Sequence, residues 1–352
     1  MDIVIGFDVG GTNSRATIAR VESGTLMSHS DFPTLISEKV ASKKELREFI
    51  GSLLSSLPHT DRPIGAALAL AGPIAHHREV VMTNWPDPKN ITIEEFVEWG
   101  LPANRTVMAN DMEAGCYGLA KRIQEDKSAL RHFEQLKESS ISLGEIPKGN
   151  RVFIAPGTGL GAAGIIQETE GGQIYPIAVE LQHTPMPVLQ EVTQTIAVWL
   201  HNHEHIAYPH PSWEDFVSGR GLANAYRALR AARSVSTPDV TIGVTDPAGA
   251  VAKAGMMGTD ACAEQALSVF YTCAGYFCQL MALGFQAFGG VFIGGTSTIK
   301  NRDFIPKSPL VSAFSDNPTQ QSLLDQFPIY LVKESDLNLD GALWLGLDAS
   351  RK

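Results

Sequence analysis

Residues 3–13 read Ile-Val-Ile-Gly-Phe-Asp-Val-Gly-Gly-Thr-Asn, an apolar strand followed by a turn rich in glycine and threonine. The same construction returns at residues 151–161, which read Arg-Val-Phe-Ile-Ala-Pro-Gly-Thr-Gly-Leu-Gly. An apolar stretch resumes after each turn, so each copy predicts a strand–turn–strand hairpin. Such turns present backbone N–H groups and a hydroxyl without bulky side chains, which suits the oxygens of a phosphate. The repeat therefore predicts two lobes that bind one polyphosphate from opposite sides.

The composition is typical of a soluble globular protein with a substantial core, since 44% of its 352 residues are hydrophobic. This length predicts two domains. The formal net charge of −10 argues against nucleic acid or an anionic membrane surface as a partner. The cysteines at 116, 262, 273 and 278 form no CxxC pair, no uninterrupted apolar run reaches about 18 residues, and no signal segment opens the chain. These features predict a cytoplasmic protein with reduced thiols.

Periodicity and turn residues predict the elements along the chain. The expected helices lie at 42–57, 91–99 (with Asn90 as N-cap), 188–201, 213–233 and 260–285. The expected strands beyond the two hairpins lie at 64–70, 80–82, 105–109 and 290–293, and the charged stretch 124–148 is interpreted as a surface connection. The alternation of strands and helices favours an α/β fold with a partly parallel sheet. We expect a small α/β domain at 1–110, with a C-terminal helix at about 337–352 returning to it, and a large α/β domain at 111–336.

The second turn also matches the GxGxxA pattern of dinucleotide-binding proteins, with Glu180 about 20 residues further on. That pattern requires a helix directly after the glycines, because the helix N-terminus holds the pyrophosphate. Residues 162–167 are few, contain Gly164 and run into a further turn at 168–172. They predict the second strand of a hairpin, which argues against the dinucleotide interpretation.

An acid, Asp8, stands directly before the glycines of the first turn. It would repel a phosphate unless Mg²⁺ lies between them, directly or through water. The alternative is a tight hairpin that binds nothing, since Gly-Gly turns are common. We expect Asp8 to organise Mg²⁺ or its waters. The expected phosphate-binding positions are Gly10, Gly11, Thr12, Asn13, Gly157, Thr158 and Gly159.

Four motifs occur in order along the chain: residues 8–15 (DVGGTNSR), 110–111 (ND), 156–161 (PGTGLG) and 288–295 (FGGVFIGG). Together they make the sequence similar, nearly end to end, to the bacterial-type glucokinases of the sugar kinase/actin-like ATPase superfamily. The resemblance implies two RNase H-like lobes around an interdomain cleft that binds ATP with Mg²⁺ and a hexose. It also implies transfer of the γ-phosphoryl group to the sugar 6-hydroxyl, with glucose as the first choice. It is compatible with a homodimer.

Asn110 and Asp111 follow the expected strand at 105–109, before a helix that we expect to begin at 112–114. A sugar hydroxyl is a poor nucleophile, and a carboxylate within hydrogen-bond reach can accept its proton, which is typically worth about 10² to 10⁴-fold in rate. We therefore interpret Asp111 as the catalytic base. The alternative is that Asp111 caps the helix, and one aspartate can do both.

By resemblance, the sugar-binding residues are Asn84, Asn110, Asp111, Glu180, His183 and Glu214. Glu214 has an alternative as an exposed acid in the first turn of a helix capped by Ser212. The run Glu180-Leu181-Gln182-His183 departs from the usual Glu-Gly-Gly-His of the family. Because glycine permits a close approach of backbone to sugar, the departure leaves open whether the substrate is glucose or another sugar, such as mannose, an amino sugar or a cyclitol.

The adenine side would lie at Gly294 and Gly295, in a turn that has a plain strand-to-helix connection as its alternative. His201 and His205 have the i, i+4 spacing that zinc can use, but no cysteine or HExxH motif accompanies them, so we expect a polar helix end. Two other classes of function stay open at this point. One is a non-catalytic sugar sensor of the same fold, against which the intact Asp111 argues, and the other is a dehydrogenase.

Overall fold

The computed structural model describes residues 1–10, 13–28, 35–83, 85–86, 88–141, 144–168, 172–187, 190–204, 210–334 and 336–351. The strands are, in chain order, β1 (Asp2–Val9), β2 (Asn13–Glu22), β3 (Thr25–Ser28), β4 (Ile36–Lys39), β5 (Arg62–Leu70), β6 (Ile74–Ala75), β7 (Glu79–Val81), β8 (Asn90–Thr92), β9 (Thr106–Asn110), β10 (Phe133–Lys137), β11 (Arg151–Pro156), β12 (Leu160–Gln167), β13 (Ile174–Ala178), β14 (Gly290–Ile293) and β15 (Ile329–Val332). The helices are α1 (Lys43–Ser56), α2 (Ile93–Glu98), α3 (Asp111–Glu125), α4 (Glu191–His203), α5 (Gly219–Arg233), α6 (Pro247–Met256), α7 (Ala261–Phe285), α8 (Thr296–Lys300), α9 (Leu310–Ser315), α10 (Gln321–Leu324) and α11 (Leu337–Ser350).

Contacts between Cα atoms divide the chain into two compact units. Unit 1 consists of Met1–Ala129, Ile174–Ala178 and Asp336–Lys352, and unit 2 of Leu130–Gln173 and Val179–Ser335. This division differs from the expected limit at residue 110, because α3 packs along α11 and against β5 and β9 and so groups with the first unit.

The main sheet of unit 1 has the strand order β3-β2-β1-β5-β9, and β4 also pairs with β2. β1 and β2 are antiparallel, which confirms the first hairpin, whereas β5 and β9 run parallel to β1. Buried apolar side chains of β1, such as Ile3, Ile5 and Phe7, pack with Phe49 of α1 and Phe96 of α2 in one core. β6, β7 and β8 form a small separate sheet.

The C-terminal helix α11 packs closely against α3 in unit 1. A Cβ atom added at Gly341 would lie 1.8 Å from the carbonyl oxygen of Ala114, and one at Gly118 would lie 2.2 Å from that of Leu337. Only glycine allows two helix backbones to approach this closely. The start of α3, which carries Asp111, is therefore held by a helix from the far end of the chain.

The strands that belong to unit 2 are ordered β10-β15-β14-β11-β12 in their sheet, and β11, β12, β14 and β15 repeat the arrangement of β1, β2, β5 and β9 in unit 1. β11 and β12 are antiparallel, with Pro156 opposite Leu160, and β14 and β15 continue the sheet parallel to β11. The residues after the Gly157–Gly159 turn thus form a strand and not a helix. This confirms the second hairpin and excludes the dinucleotide-binding pattern.

The core of unit 2 surrounds α7, which carries buried residues such as Phe270, Phe277 and Met281. By length and composition alone α7 could cross a membrane, and 67% of its most apolar window is buried inside the protein. Core helices of soluble proteins have the same properties. Polar residues such as Glu264, Gln265 and Thr272 interrupt its apolar sequence.

Three expectations for the elements were inaccurate, and several elements, including α6, α9, α10 and β15, were not expected. α2 begins at Ile93 with Thr92 as its N-cap rather than Asn90, because residues 90–92 pair with β7 as a strand. The stretch at 124–148 is more than a connection, since it contains the strand β10, which pairs with β15. The helix expected from residue 213 begins only at Gly219, because the Ser218 side chain accepts the N–H of Gly221 and caps it there.

Candidate functional site

Asp8 and Asn110 lie at one edge of the unit 1 sheet. Asp8 is next to the last residue of β1 and Asn110 is the last residue of β9. β5 lies between these strands, with Ala69 beside Asp8 and Leu70 beside Asn110. Two strand spacings amount to about 10 Å, so the sheet brings both residues to the same neighbourhood. The expected site residues Gly11, Thr12 and Asn84 lie outside the described residues.

The Asp8 carboxylate is already engaged by two neighbours in unit 1. Arg15, opposite it on β2, donates from Nε and Nη2 to Oδ2 at 3.0 and 2.5 Å. The Asn338 amide of α11 donates to Oδ1 at 3.3 Å. Gly10 donates its N–H to the carbonyl of Asn13 at 3.0 Å, which closes the turn. The sequence analysis missed both Arg15 and Asn338; the i, i+7 pairing across a hairpin was the available signal for Arg15.

Asn110, not Asp111, is the N-cap of α3. Its Oδ1 accepts the N–H of Met112 at 2.9 Å, and its Nδ2 donates to the carbonyl of Gly72 at 3.2 Å. Asp111 is the first helical residue, and its Oδ1 also lies 2.9 Å from the N–H of Met112. The capping role that we weighed for Asp111 thus belongs to its neighbour, and Asp111 is half-buried at the helix N-terminus.

A half-buried acid lies two residues after Asp111, in the first turn of α3. Glu113 accepts the N–H of Asn110 at 3.4 Å and completes a capping box with it. Burial raises the pKa of Glu113 above its ordinary value, and His77 and the Asn110 N–H oppose this shift without cancelling it. The start of α3 is therefore fixed by side chains on both sides of Asp111.

In unit 2, the Gly157–Gly159 turn is closed by its own backbone. The N–H of Gly157 donates to the carbonyl of Gly159 at 2.8 Å. The carbonyl of Gly157 accepts the N–H of Gly219, the first residue of α5, at 2.8 Å. Within the described part of the chain, the N–H groups of Thr158 and Gly159 donate to no other atom. These two donors are the ones that a phosphate could use.

Glu214 contacts the same turn. Its Oε2 accepts the N–H of Leu160 at 3.0 Å, and a Cβ atom added at Gly159 would lie 2.7 Å from this oxygen. Its Oε1 lies 3.6 Å from Nη2 of Arg220. Glu214 is not in the first turn of a helix, since α5 begins five residues later. The second hairpin therefore also has an acid beside it, although not one that precedes its glycines.

Glu180 and His183 are exposed on a short 3₁₀ turn at Leu181–His183. Nε2 of His183 lies 3.3 Å from Oε2 of Glu180. Gln182 between them is buried, and its Nε2 donates to the same Glu180 oxygen at 2.7 Å. The carbonyl of Gln182 accepts the N–H of Glu214 at 3.1 Å. The structure thus brings Glu180, His183 and Glu214 together in unit 2.

A cavity of about 580 Å³ opens beside the Gly157–Gly159 turn in unit 2. It is lined by Gly157 and Thr158, by α5 and α7, and by the starts of α6 and α8. Three cations face it: Arg220, Arg227 and Lys300. Arg227 donates to Oδ1 of Asn224 at 3.1 Å, and Lys300 lies 3.6 Å from Oδ2 of Asp246.

Gly294 and Gly295 lie next to this region. Gly294 follows β14, which is parallel to β11, and it donates its N–H to the carbonyl of Ile154 at 2.9 Å. Gly295 is the N-cap of α8, with a φ of +89°. The cavity is lined further along α8, by Ser297 and Lys300. Sequence reasoning missed Arg227 and Lys300, because single cations on helices give no pattern.

Within the described ranges, no group of three or more His, Cys, Asp and Glu side chains is placed to hold a metal ion. His203 stacks on Trp199 and bonds its carbonyl at the end of α4. His205 lies outside the described residues, so the zinc spacing of His201 and His205 stays untested.

Comparison with known proteins places this geometry in a family. The sequence profile described as Glucokinase matches residues 5–347. A glucokinase of Saccharophagus degradans is 27% identical over 355 residues, covering 96% of this chain and 96% of its own. Among solved structures, glucokinase of Balamuthia mandrillaris in complex with glucose has a TM-score of 0.81 at 24% identity, covering 98% of this chain and 93% of its own.

A second solved structure has the same fold. It is a ROK family glucokinase of Streptomyces griseus in complex with glucose and AMPPNP, with a TM-score of 0.61 at 18% identity, covering 97% of this chain and 98% of its own. These likenesses confirm the expected α/β class and the fold of the actin-like ATPase superfamily. The profile match over nearly the whole chain shows that this protein belongs to the glucokinase family.

Proposed function

We propose that this protein transfers the γ-phosphoryl group of ATP to the 6-hydroxyl of glucose. The observation that carries the proposal is the cavity beside the Gly157–Gly159 turn. Its volume of about 580 Å³ lies within the range of small-ligand pockets. It joins apolar walls, including Phe270 and Ala252, to backbone donors and cations, which is the combination that a base and a phosphate chain require. Family membership and the AMPPNP of the Streptomyces griseus relative support the same donor.

The phosphates of ATP would lie against the N–H groups of Thr158 and Gly159, which donate to no other atom among the described residues. Gly157 bonds within the turn and to α5, and these two bonds would hold the turn in place while a phosphate binds. Arg220 is exposed at the rim and already pairs with Glu214 and Asp215. Preorganised donors of this kind stabilise the charge that develops during phosphoryl transfer. By the same proposal, Gly10, Gly11, Thr12 and Asn13 serve the phosphates from the first hairpin.

Asp111 would be the catalytic base. Its neighbours Asn110 and Glu113 hold the start of α3, so the carboxylate has a fixed backbone to act from. In the reaction it accepts the proton of the 6-hydroxyl while the oxygen of that group attacks phosphorus and the bond to ADP breaks. By resemblance, Asn84, Asn110, Glu180, His183 and Glu214 orient the sugar. Adenine would lie on the side of Gly294 and Gly295.

The residues fit a magnesium ion that is bound mainly by phosphate and water. Asp8 keeps one oxygen, Oδ1, that takes only a 3.3 Å hydrogen bond from a neutral amide. Its other oxygen is paired with Arg15, so Asp8 would hold Mg²⁺ through one oxygen or through water. When bound, the ion would neutralise charge on the β- and γ-phosphates.

The cysteines support the cytoplasm as the compartment that we propose. Cys116, Cys262, Cys273 and Cys278 are free and buried. Burial raises the pKa of Cys273 and Cys278 to about 12, so neither is a reactive thiolate at neutral pH. We propose neither nucleic acid nor a membrane as a partner, and the homodimer stays a hypothesis.

A substrate panel tests the proposal. The full chain is incubated with ATP, Mg²⁺ and one of glucose, mannose, glucosamine or inositol, and ADP release is coupled to a dehydrogenase. We expect glucose to have the highest kcat/KM and the product to carry phosphate on O6 by NMR. If another sugar is phosphorylated and glucose is not, glucose is not the substrate. If no sugar is phosphorylated, the assignment as a sugar kinase is wrong.

A further inference from the structure

The side chain of Gln182, between Glu180 and His183, points into the protein. Gln182 is 5% exposed, whereas Leu181 is 36% exposed and the side chains of Glu180 and His183 are more than half exposed. The turn thus presents three side chains outward and one inward. The inward residue occupies one of the positions where the family usually has glycine.

The amide of Gln182 holds one oxygen of Glu180. Its Nε2 donates to Oε2 of Glu180 at 2.7 Å, and His183 lies 3.3 Å from the same oxygen. A carboxylate that is held at one oxygen keeps the other oriented, so Oε1 of Glu180 points in one direction before any ligand arrives. A free glutamate on an exposed turn would lose side-chain entropy on binding instead.

The backbone of Gln182 holds a second acid. Its carbonyl accepts the N–H of Glu214 at 3.1 Å, and Glu214 in turn accepts the N–H of Leu160 at 3.0 Å. One residue therefore connects Glu180, Glu214 and the phosphate-binding hairpin. All of these groups belong to unit 2.

Packing alone does not explain a glutamine here. Its Oε1 is buried and has no hydrogen-bond partner within the described residues. A buried carbonyl without a partner lowers stability, whereas methionine would fill a similar volume without that penalty. The amide is thus retained at a cost, and within the described residues its side chain makes one hydrogen bond, the one to Glu180.

We propose that Gln182 is a positioning residue of the sugar site, which orients Glu180 through its side chain and Glu214 through its backbone. The inference rests on the proposed function, since it assumes that these two acids bind the hexose. In the usual Glu-Gly-Gly-His pattern of the family, the glycines let the backbone approach the sugar. This chain would instead use the buried amide of Gln182 to orient Glu180 towards the sugar. The expected consequence is tighter hexose binding without a direct contact from Gln182.

The first test is Gln182→Met, which keeps the volume and removes the donor. We expect KM for glucose to rise about ten-fold, the effect of one hydrogen bond to a charged group, with kcat and KM for ATP within about two-fold of wild type. The matched control is Gln279→Met, which removes another buried amide of unit 2 that bonds to the Phe314 carbonyl at 2.8 Å. We expect this control to lower the melting temperature and leave KM unchanged.

The second test is Gln182→Glu, which gives a readout that a structural role would not move. Below its pKa the introduced carboxyl can donate its proton to Glu180 and replace the amide; above its pKa two carboxylates repel each other. KM for glucose should therefore rise with pH more steeply than in wild type. His183, Glu214 and Arg220 also face this region, so the wild-type and Gln182→Met profiles serve as references for any pH dependence that the introduced carboxyl does not cause.

The outcomes separate the two proposals. Suppose that the wild type turns over glucose. An unchanged KM for glucose in Gln182→Met, or parallel pH profiles of KM in Gln182→Glu and wild type, would then overturn the role of Gln182 but not the proposed function. Absence of glucose turnover by the wild type would overturn the proposed function and this inference with it. A KM increase in Gln279→Met as large as in Gln182→Met would also contradict the role, because any buried amide would then have the same effect.

Discussion

At the scale of single residues, the acids of the candidate site are all engaged before a ligand binds. Asp8 pairs with Arg15, Glu180 is bonded by Gln182, and Glu214 accepts a backbone N–H of the hairpin. Bonds of this kind fix the orientation of a carboxylate, and ligand binding then requires less ordering of side chains. The sequence identified the acids but not their partners, because a partner is set by which strands and turns are adjacent in space.

The Asp8–Arg15 pair is expected to contribute to the stability of unit 1. Its side chains are 13% and 26% exposed, so the pair is only partly screened by water. Arg15→Met should lower the free energy of unfolding by about 2 kcal/mol, since it leaves the carboxylate without its charged donor.

Urea unfolding followed by circular dichroism measures this loss. Arg62→Met is the control, because the Arg62–Asp2 pair is exposed and its atoms are 3.4 Å apart. The control should change stability by less than about 0.5 kcal/mol. Equal effects of the two substitutions would contradict the assignment.

At the scale of elements, the start of α3 is the feature on which the catalytic proposal depends. Asn110 and Glu113 form a capping box around Asp111, and α11 packs against the same helix. Local sequence was enough to predict the two hairpins, the strand that ends at Asn110 and the existence of α3. Its first residue and its N-cap were not, because Asn110 and Asp111 are equally good caps and tertiary contacts with Gly72 select the first.

Glu113 gives this element a pH dependence. Burial raises the pKa of this carboxyl in the folded state, so folding favours its protonated form. At a pH below the pKa that Glu113 has in the unfolded chain, the carboxyl is neutral in both states and does not destabilise the fold. As the pH rises through the higher pKa of the folded state, the buried carboxyl ionises and this stability is lost. Glu113→Gln should therefore become progressively more stable than wild type as the pH rises from about 4 towards 8, and similar to it at about pH 4.

Thermal unfolding of both proteins over that pH range measures the difference. A constant difference at all pH values would show that the carboxyl does not titrate differently on folding. A trend of opposite sign would contradict the burial that we describe.

At the scale of the whole molecule, the two units repeat one sheet plan. In each, an antiparallel hairpin with a glycine-rich turn begins a sheet whose next strands run parallel to its first strand. The sequence predicted this repeat because hairpin turns are encoded locally. It did not predict that residues 111–129 group with the N-terminal strands, since that grouping depends on α11 from the other end of the chain. The cavity was likewise beyond sequence reasoning, because α5, α6, α7 and α8 meet there only in the folded protein.

The role of Asp111 as catalytic base is tested most directly by the turnover of Asp111→Asn with glucose and ATP. Asparagine keeps the shape of the residue but cannot accept the proton of the 6-hydroxyl. We expect kcat to fall by about 10² to 10⁴-fold while glucose binding, measured by calorimetry, stays within about three-fold of wild type. Asp126→Asn, at the other end of α3, should leave kcat unchanged. A kcat of Asp111→Asn close to that of wild type would show that Asp111 is not the catalytic base.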